Sequence, residues 1–316
     1  MGVVLSKKKL TSFQIIIMGF SSVILLGTLL LMLPISSKTG EFTSFADALF
    51  TSTSAVCVTG LIVFDTATYW SLFGQFVIML LIEIGGMGVI TVAASFAMIA
   101  GRKISLMQRS TMQEAIAAPK VGGIVRLTIF VIKATLMIEL LGAVAMSPVF
   151  CRDFGIKGLW MALFHSVSAF CNAGFDLMGV KSPFSSLTLY AGEPLINFPI
   201  MLLIIIGGIG FLTWDDIRAN RFHIHKYRMQ SKVILSTTAI LILVPALYFY
   251  FFEFSDLGLK ERVLSSLFQS VTPRTAGFNT VDLTSMSEAG QFITIILMLI
   301  GGSPGSTAGG MKTTTI

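Results

Sequence analysis

Three stretches of the chain share one pattern: Ser54-Ala55-Val56-Cys57-Val58-Thr59-Gly60-Leu61, Ser168-Ala169-Phe170-Cys171-Asn172-Ala173-Gly174-Phe175 and Val271-Thr272-Pro273-Arg274-Thr275-Ala276-Gly277-Phe278. Each leads from a half-polar segment through small residues to a glycine, then to an apolar or aromatic residue. Each stands between two long apolar runs. Non-helical backbone survives at membrane depth only where it is buried in protein or lines water. Three copies therefore point to re-entrant loops around one shared pathway. The short segments before them, residues 45–54, 159–168 and 263–270, reach only halfway across a bilayer at about 1.5 Å per helical residue. Their C-terminal ends face the loops, where the negative end of a helix dipole favours a dehydrating cation. The pattern predicts a cation-conducting membrane subunit.

The flanking runs cover residues 13–33, 71–100, 124–150, 195–214, 233–252 and 292 onward. A hydrocarbon core needs about 20 helical residues, so each is long enough to span, the first five as single helices. Of 316 residues, 54% are hydrophobic and 12% charged, and the mean hydropathy is +0.85. Soluble domains carry about 25% charged residues; with half of that missing, most of this surface faces lipid. The net charge of +6 is better explained by orientation than by nucleic acid. Lys7, Lys8 and Lys9 precede the first run. Arg102, Lys103, Arg109, Lys120 and Arg126 fill one connection, and Arg218, Arg221, Lys226, Arg228 and Lys232 another. Short Lys/Arg-rich loops stay in the cytoplasm, which places the N-terminus inside and lets the glycine loops dip in from outside.

A second motif follows each loop in the same order: Ile84-Gly85-Gly86-Met87-Gly88, Ile206-Gly207-Gly208-Ile209-Gly210 and Ile300-Gly301-Gly302-Ser303-Pro304-Gly305. Glycine pairs let helices approach closely in lipid, the plain reading for the first two. Two motifs recurring together define tandem repeats. The expected fold is an all-α membrane protein of span–pore-helix–loop–span repeats, two complete and most of a third. Repeat 1 covers residues 1–101, repeat 2 residues 102–220, and repeat 3 residues 221–316, ending in a glycine-rich intramembrane loop.

Potassium selectivity uses rings of backbone carbonyls in place of the hydration shell, and glycine adopts the backbone conformations this needs. The candidate filter residues are Cys57, Val58, Thr59 and Gly60; Cys171, Asn172, Ala173 and Gly174; and Thr275, Ala276 and Gly277. None is acidic, which argues against a carboxylate-ring divalent channel, and one glycine per loop predicts a looser filter than that of tetrameric potassium channels. Asp65 and Asp282 lie five residues after a loop glycine, and Asp176 and Asn279 two after. The three aspartates are candidates for an outer vestibule that concentrates cations, or for turn caps. Arg274, a cation inside a cation filter, must be paired or turned away. It is expected to brace the loop from behind through a carboxylate or backbone carbonyls, with the intramembrane Glu83 and Glu139 as candidate partners. Cys57, Cys151 and Cys171 show no disulfide or metal spacing and read as small buried hydrophobes. His223 and His225 read as residues of a basic loop. No nucleophile–base pair or metal cluster marks an enzyme, and no cofactor is expected.

Gly301, Gly302, Ser303, Pro304, Gly305, Ser306, Thr307, Ala308, Gly309 and Gly310 interrupt the sixth run. Proline removes a helix hydrogen bond, and glycines with hydroxyls predict an unwound segment lining a polar cavity, as in broken transporter helices.

Residues 270–280 and 301–313 resemble the Trk/Ktr potassium-uptake superfamily, and the short lead into the first repeat is similar to that of Ktr-type membrane subunits. The resemblance covers nearly the whole chain. It implies four potassium-channel-like repeats, potassium as the transported ion with frequent dependence on sodium, and residues 301–310 as a gate beneath the filter. It also implies a cytosolic nucleotide-binding regulatory ring, a homodimer, and a place in the bacterial cell (inner) membrane. With two repeats and most of a third, the chain is expected to be a fragment that stops before repeat four. The alternatives are a non-conducting assembly remnant and a secondary permease for a small solute. A permease of that type calls for inverted repeats, whereas these run in the same sense.

Overall fold

The computed structural model describes residues 11–99, 104–116, 122–221 and 223–315. Among them the chain is helical apart from loops and two isolated bridges, Ser37 with Trp70 and Ile300 with Met311.

α1 (Ser12–Met32) opens on a capping box between Thr11 and Gln14 and stops before Pro34, a residue that breaks helical hydrogen bonding. α2 (Phe45–Val56) is capped by Ser44. A short α3 (Thr66–Tyr69) leads to α4 (Leu72–Met87), α5 (Val89–Ile99) and α6 (Leu106–Ile116). α7 (Ile124–Phe154), α8 (Lys157–Phe170), α9 (Pro194–Gly208) and α10 (Phe211–Asn220) repeat the order of long, short and bent elements. α11 (Met229–Tyr248) continues through a π-helical turn, Phe249–Glu253, and is followed by α12 (Leu259–Val271) and α13 (Glu288–Leu299).

Among the described residues, three helices are long and apolar enough to cross a membrane, Ser12–Met32, Ile124–Phe154 and Met229–Glu253, and two bent pairs are apolar enough together. Their outward faces are apolar: Leu29, Leu140, Leu141 and Leu243 are each more than half exposed, as lipid-facing residues are. The short helices α2 and α8 lie inside. Ser52 Oγ donates to the Ile24 carbonyl on α1 at 2.8 Å, and Ser166 Oγ donates to the Glu139 carbonyl on α7 at 2.6 Å. Trp160 Nε1 donates to Gln75 Oε1 at 2.9 Å and ties α8 to α4.

Two spans expected to be continuous are broken. α4 and α5 meet at 98°, and α9 and α10 at 97°. Gly88 (φ +84°) and Gly210 (φ +89°) sit at the breaks, a conformation that glycine adopts without a Cβ penalty and that ends helices. The sixth run is helical only to Leu299. The glycine pairs do bring backbones close, but to the ends of the short helices. A Cβ at Gly85 would collide with the Val56 carbonyl oxygen, and one at Gly207 with that of Phe170.

Candidate ion pathway

The three glycine loops converge. A Cβ at Gly60 would stand 2.6 Å from the Ala173 carbonyl oxygen, and one at Gly174 would stand 2.7 Å from that of Ala276 and 3.1 Å from Gly277 Cα. Loop backbone therefore meets loop backbone with no room for a side chain. Each loop hangs from its own short helix: the Thr59 amide donates to the Ser54 carbonyl (2.9 Å), that of Ala173 to Ser168 (2.8 Å) and that of Ala276 to Thr272 (3.0 Å).

The loops also share an unusual backbone. Val58, Asn172 and Thr275 have φ of 56°, 58° and 69°, and two residues on, Gly60, Gly174 and Gly277 have 74°, 71° and 82°. Left-handed residues separated by one of ordinary φ let successive carbonyls share a side, which a carbonyl-lined ion site requires. Valine and threonine are β-branched and resist positive φ; each such residue costs of order 1–3 kcal/mol and persists only where the surroundings impose it.

Behind the second and third loops the chain is buried and braced. Phe175 and Phe278 are buried. Ser168 Oγ donates to the Phe175 carbonyl at 2.7 Å, and Thr272 Oγ1 to that of Phe278 at 2.6 Å. His165 is fully buried, with Nδ1 2.7 Å from the Met161 carbonyl while Nε2 accepts the Leu177 amide at 3.2 Å. Nε2 being the acceptor, Nδ1 carries the proton. Sequence reading passed over His165; a lone polar side chain in a short apolar helix was the available signal.

Residues 301–310 are irregular, and their lost helical bonds are replaced by contacts to three elements. The Gly301 amide donates to the Met311 carbonyl (3.0 Å), Gly302 to Gly309 (3.0 Å), Ser303 to Gly208 (2.9 Å) and Thr307 to Gly207 (3.2 Å). The Gly305 carbonyl accepts from Phe211 at 2.8 Å. Thr307 Oγ1 donates to the Phe170 carbonyl at 2.9 Å and accepts from Asn172 Nδ2 at 2.8 Å, and the Gly309 amide donates to Thr275 Oγ1 at 3.2 Å. Lys312 Nζ donates to the Ala308 carbonyl at 2.8 Å. The run thus bonds directly to the second and third loops.

Where alternatives were open, contacts favour one of them, and other expectations are corrected. Arg274 meets neither Glu83 nor Glu139; its Nη2 donates to the Gly301 carbonyl at 3.3 Å, joining the third loop to the glycine-rich run. The two glutamates, the candidate partners of Arg274, instead face each other and Cys171. Asp65 does not line a vestibule: it is buried, Oδ1 accepts the Ala67 and Thr68 amides, and Oδ2 accepts the Phe184 amide at 3.0 Å. Asp282 is exposed and caps the turn at Thr284, whose hydroxyl and amide hold its carboxyl below the usual range. Asp176 is half-buried and accepts the Met178 amide at 2.8 Å; burial, with Asp65 adding repulsion, pushes its carboxyl up to about 6. The Asn279 amide donates to Ser186 Oγ. Cys57 is exposed and Cys151 partly so; only Cys171 is the small buried residue expected of all three. The His223 and His225 rings stand 5.8 Å apart.

Between the first and third loops lies a cavity of about 490 Å³, lined by Val58, Thr59, Thr275, Gly277, Gly309 and Gly310 among others. The ring of loops is open on that side.

Re-entrant loops held by half-length helices inside a bundle of apolar spans define a membrane transport protein. Residues 6–316 match TrkH, the cation transport protein family, and the chain belongs to that family. It is 45% identical to the potassium/sodium uptake protein NtpJ of Enterococcus hirae, over 98% of this chain and 69% of that one. It is 41% identical to the Ktr system potassium uptake protein B of Bacillus subtilis, over 97% and 69%. The crystal structure of the potassium transporter TrkH from Vibrio parahaemolyticus superposes with a TM-score of 0.70 at 22% identity, a likeness of fold. That match covers 98% of this chain and 60% of the other.

Proposed function

We propose that the chain conducts potassium into the cell through the opening ringed by residues 57–60, 171–174 and 275–277, with sodium as the companion ion. The observation that carries this reading is the backbone pattern common to the loops, left-handed at Val58, Asn172 and Thr275 and again at the following glycines. It favours carbonyl coordination of a dehydrated cation and leaves no acidic side chain for divalent selectivity. The names of the Enterococcus and Bacillus relatives agree with this ion.

The chain is organised as three pore repeats, residues 1–101, 102–220 and 221–316. Residues 301–310 act as the gate, because they bond to two filter loops and can exchange those bonds for water at modest cost. Arg274 supports the third loop, and Asp176 serves the outer mouth. The protein sits in the bacterial cell membrane with its N-terminus and the connections around Arg109 and Arg221 in the cytoplasm, following the basic clusters. It works as a homodimer under a cytosolic nucleotide-binding ring. The cavity between the first and third loops is where a fourth loop completes the filter. The open side between the first and third loops favours a second reading, a non-conducting assembly remnant.

Growth of a potassium-uptake-deficient bacterium in low potassium tests both. Rescue by the whole reading frame, lost in Gly174→Ser, supports conduction through these loops. Normal insertion without rescue, in the presence of the cytosolic partner, favours the second reading.

A further inference from the structure

Glu83 on α4, Glu139 on α7 and Cys171 at the end of α8 bring one ligand atom each within 4.8 Å of one another. Cys171 is fully buried, Glu139 is 3% exposed and Glu83 is half-buried. Oε1 of each glutamate is buried without a hydrogen-bond partner. Among the described residues, neither carboxylate is within ion-pair distance of a basic group. Two carboxylates in an apolar interior are costly unless something positive joins them.

The donor set selects the cation. Potassium and sodium favour oxygen ligands, whereas thiolate recruits softer ions of the zinc class. With zinc–sulfur near 2.3 Å and zinc–oxygen near 2.0–2.2 Å, a tetrahedral site sets its sulfur and oxygen ligands about 3.6 Å apart. Cys171 Sγ and Glu83 Oε2 are 3.5 Å apart. The three ligand atoms all lie within 4.8 Å of one another, about 1 Å beyond the ligand spacing on a tetrahedral ion, and no donor is bonded to Glu139 Oε1. The thiol proton leaves on binding, as ligand deprotonation requires.

We infer that Glu83, Glu139 and Cys171 form a buried site for one zinc-class divalent cation, with water in the fourth position. Its place gives it a role. Cys171 directly precedes Asn172, and a Cβ at Gly86 on α4 would come within 2.6 Å of Cys171 Sγ. A bound ion therefore fastens the second loop to α4 and α7 through the Cys171 side chain.

The test is a cadmium titration of the purified full chain in detergent, read by thiolate-to-cadmium charge-transfer absorption, with zinc as competitor. One cadmium per chain, reversed by a chelator, is expected. The band should vanish in Cys171→Ser and persist in the Cys57→Ser/Cys151→Ser double variant. Glu139→Gln, which keeps the side-chain shape, should weaken binding by more than the about 10–100-fold that loss of an outer-shell partner costs. Absence of stoichiometric binding, a band undiminished in Cys171→Ser, or unchanged affinity in Glu139→Gln each overturns the site and leaves a proton shared by the glutamates. If Cys171→Ser does not elute as a folded species, Glu139→Gln decides. The readout needs no ion flux, so it stands apart from the potassium reading.

Discussion

Asn172 Nδ2 donates to Thr307 Oγ1 at 2.8 Å across 135 residues of sequence, and the same hydroxyl donates to the Phe170 carbonyl at 2.9 Å. Asn172 belongs to the second glycine loop and lies in the left-handed region, so one hydroxyl couples loop conformation to the glycine-rich run. Thr307→Val keeps the shape and removes both bonds, leaving buried polar groups unpaired at a cost of about 1–3 kcal/mol. If the bonds hold the run in place, its closed population falls about tenfold per 1.4 kcal/mol. Potassium leak through reconstituted Thr307→Val protein should rise by that order, while Thr307→Ser restores wild-type flux. Equal flux in all three would separate the gate from this hydroxyl.

Close approach of loop backbones makes the glycines intolerant. A Cβ at Gly174 would sit 2.7 Å from the Ala276 carbonyl oxygen, so Gly174→Ser must displace a carbonyl of the neighbouring loop. Competition uptake assays should show preference for potassium over sodium falling about tenfold, the consequence of roughly 1.4 kcal/mol of lost discrimination. Val58→Gly acts the opposite way on stability, relieving strain of order 1–3 kcal/mol. A raised Tm together with weakened selectivity is expected, since the strained residue holds its carbonyl in place. An unchanged Tm would show that Val58 carries no strain.

Much of this architecture was legible because lipid imposes few solutions. An apolar run, a half-length helix and a glycine loop can be arranged only one way if backbone polar groups are to be satisfied. The breaks at Gly88 and Gly210 were not legible. A glycine pair in an apolar run reads the same whether it packs a continuous helix or ends one, and only the φ of the following glycine distinguishes them. Asp65 and Asp282 share a spacing from their loop glycines yet differ in fate, because the Phe184 amide, 119 residues away, covers Asp65. Glu83 and Cys171 are likewise 88 residues apart, so no local pattern joins them.

If Asp176 serves the outer mouth as proposed, uptake acquires a pH dependence. Its carboxyl, pushed up to about 6, is ionised above that pH and neutral below it. If its charge concentrates cations, uptake at low external potassium should fall as external pH drops from 7.5 through about 6 toward 5. Asp176→Asn should show the low uptake throughout and no transition in that window. A transition that survives in Asp176→Asn belongs to another group.

Orientation is open to direct measurement. A cysteine placed at Glu41 or at Lys181, in a background lacking Cys57, Cys151 and Cys171, should react with an impermeant external thiol reagent. One placed at Arg109 should react only after the membrane is permeabilised. The reverse pattern would turn the molecule over and put the glycine loops on the cytoplasmic side, against the basic clusters of the connections.

Deleting part of the glycine-rich run separates a gate from a permeation element. Residues 305–309 contribute the Gly305 carbonyl to the Phe211 amide, the Thr307 amide to the Gly207 carbonyl and the Gly309 amide to Thr275 Oγ1. A Cβ at Gly210 would stand 2.7 Å from the Pro304 carbonyl oxygen, so the run lies directly against the α9–α10 bend. Removing these five residues cuts those three bonds, while the Ser303 amide on the Gly208 carbonyl and the Gly301 carbonyl that receives Arg274 are kept. If the run obstructs the pathway, potassium flux rises and loses any dependence on the proposed cytosolic partner, because nothing remains for that partner to move. If it is part of the pathway, flux falls to background while membrane insertion and protein level stay normal. Flux measured in vesicles with and without the partner distinguishes the two, and the second outcome removes the gate from the proposal.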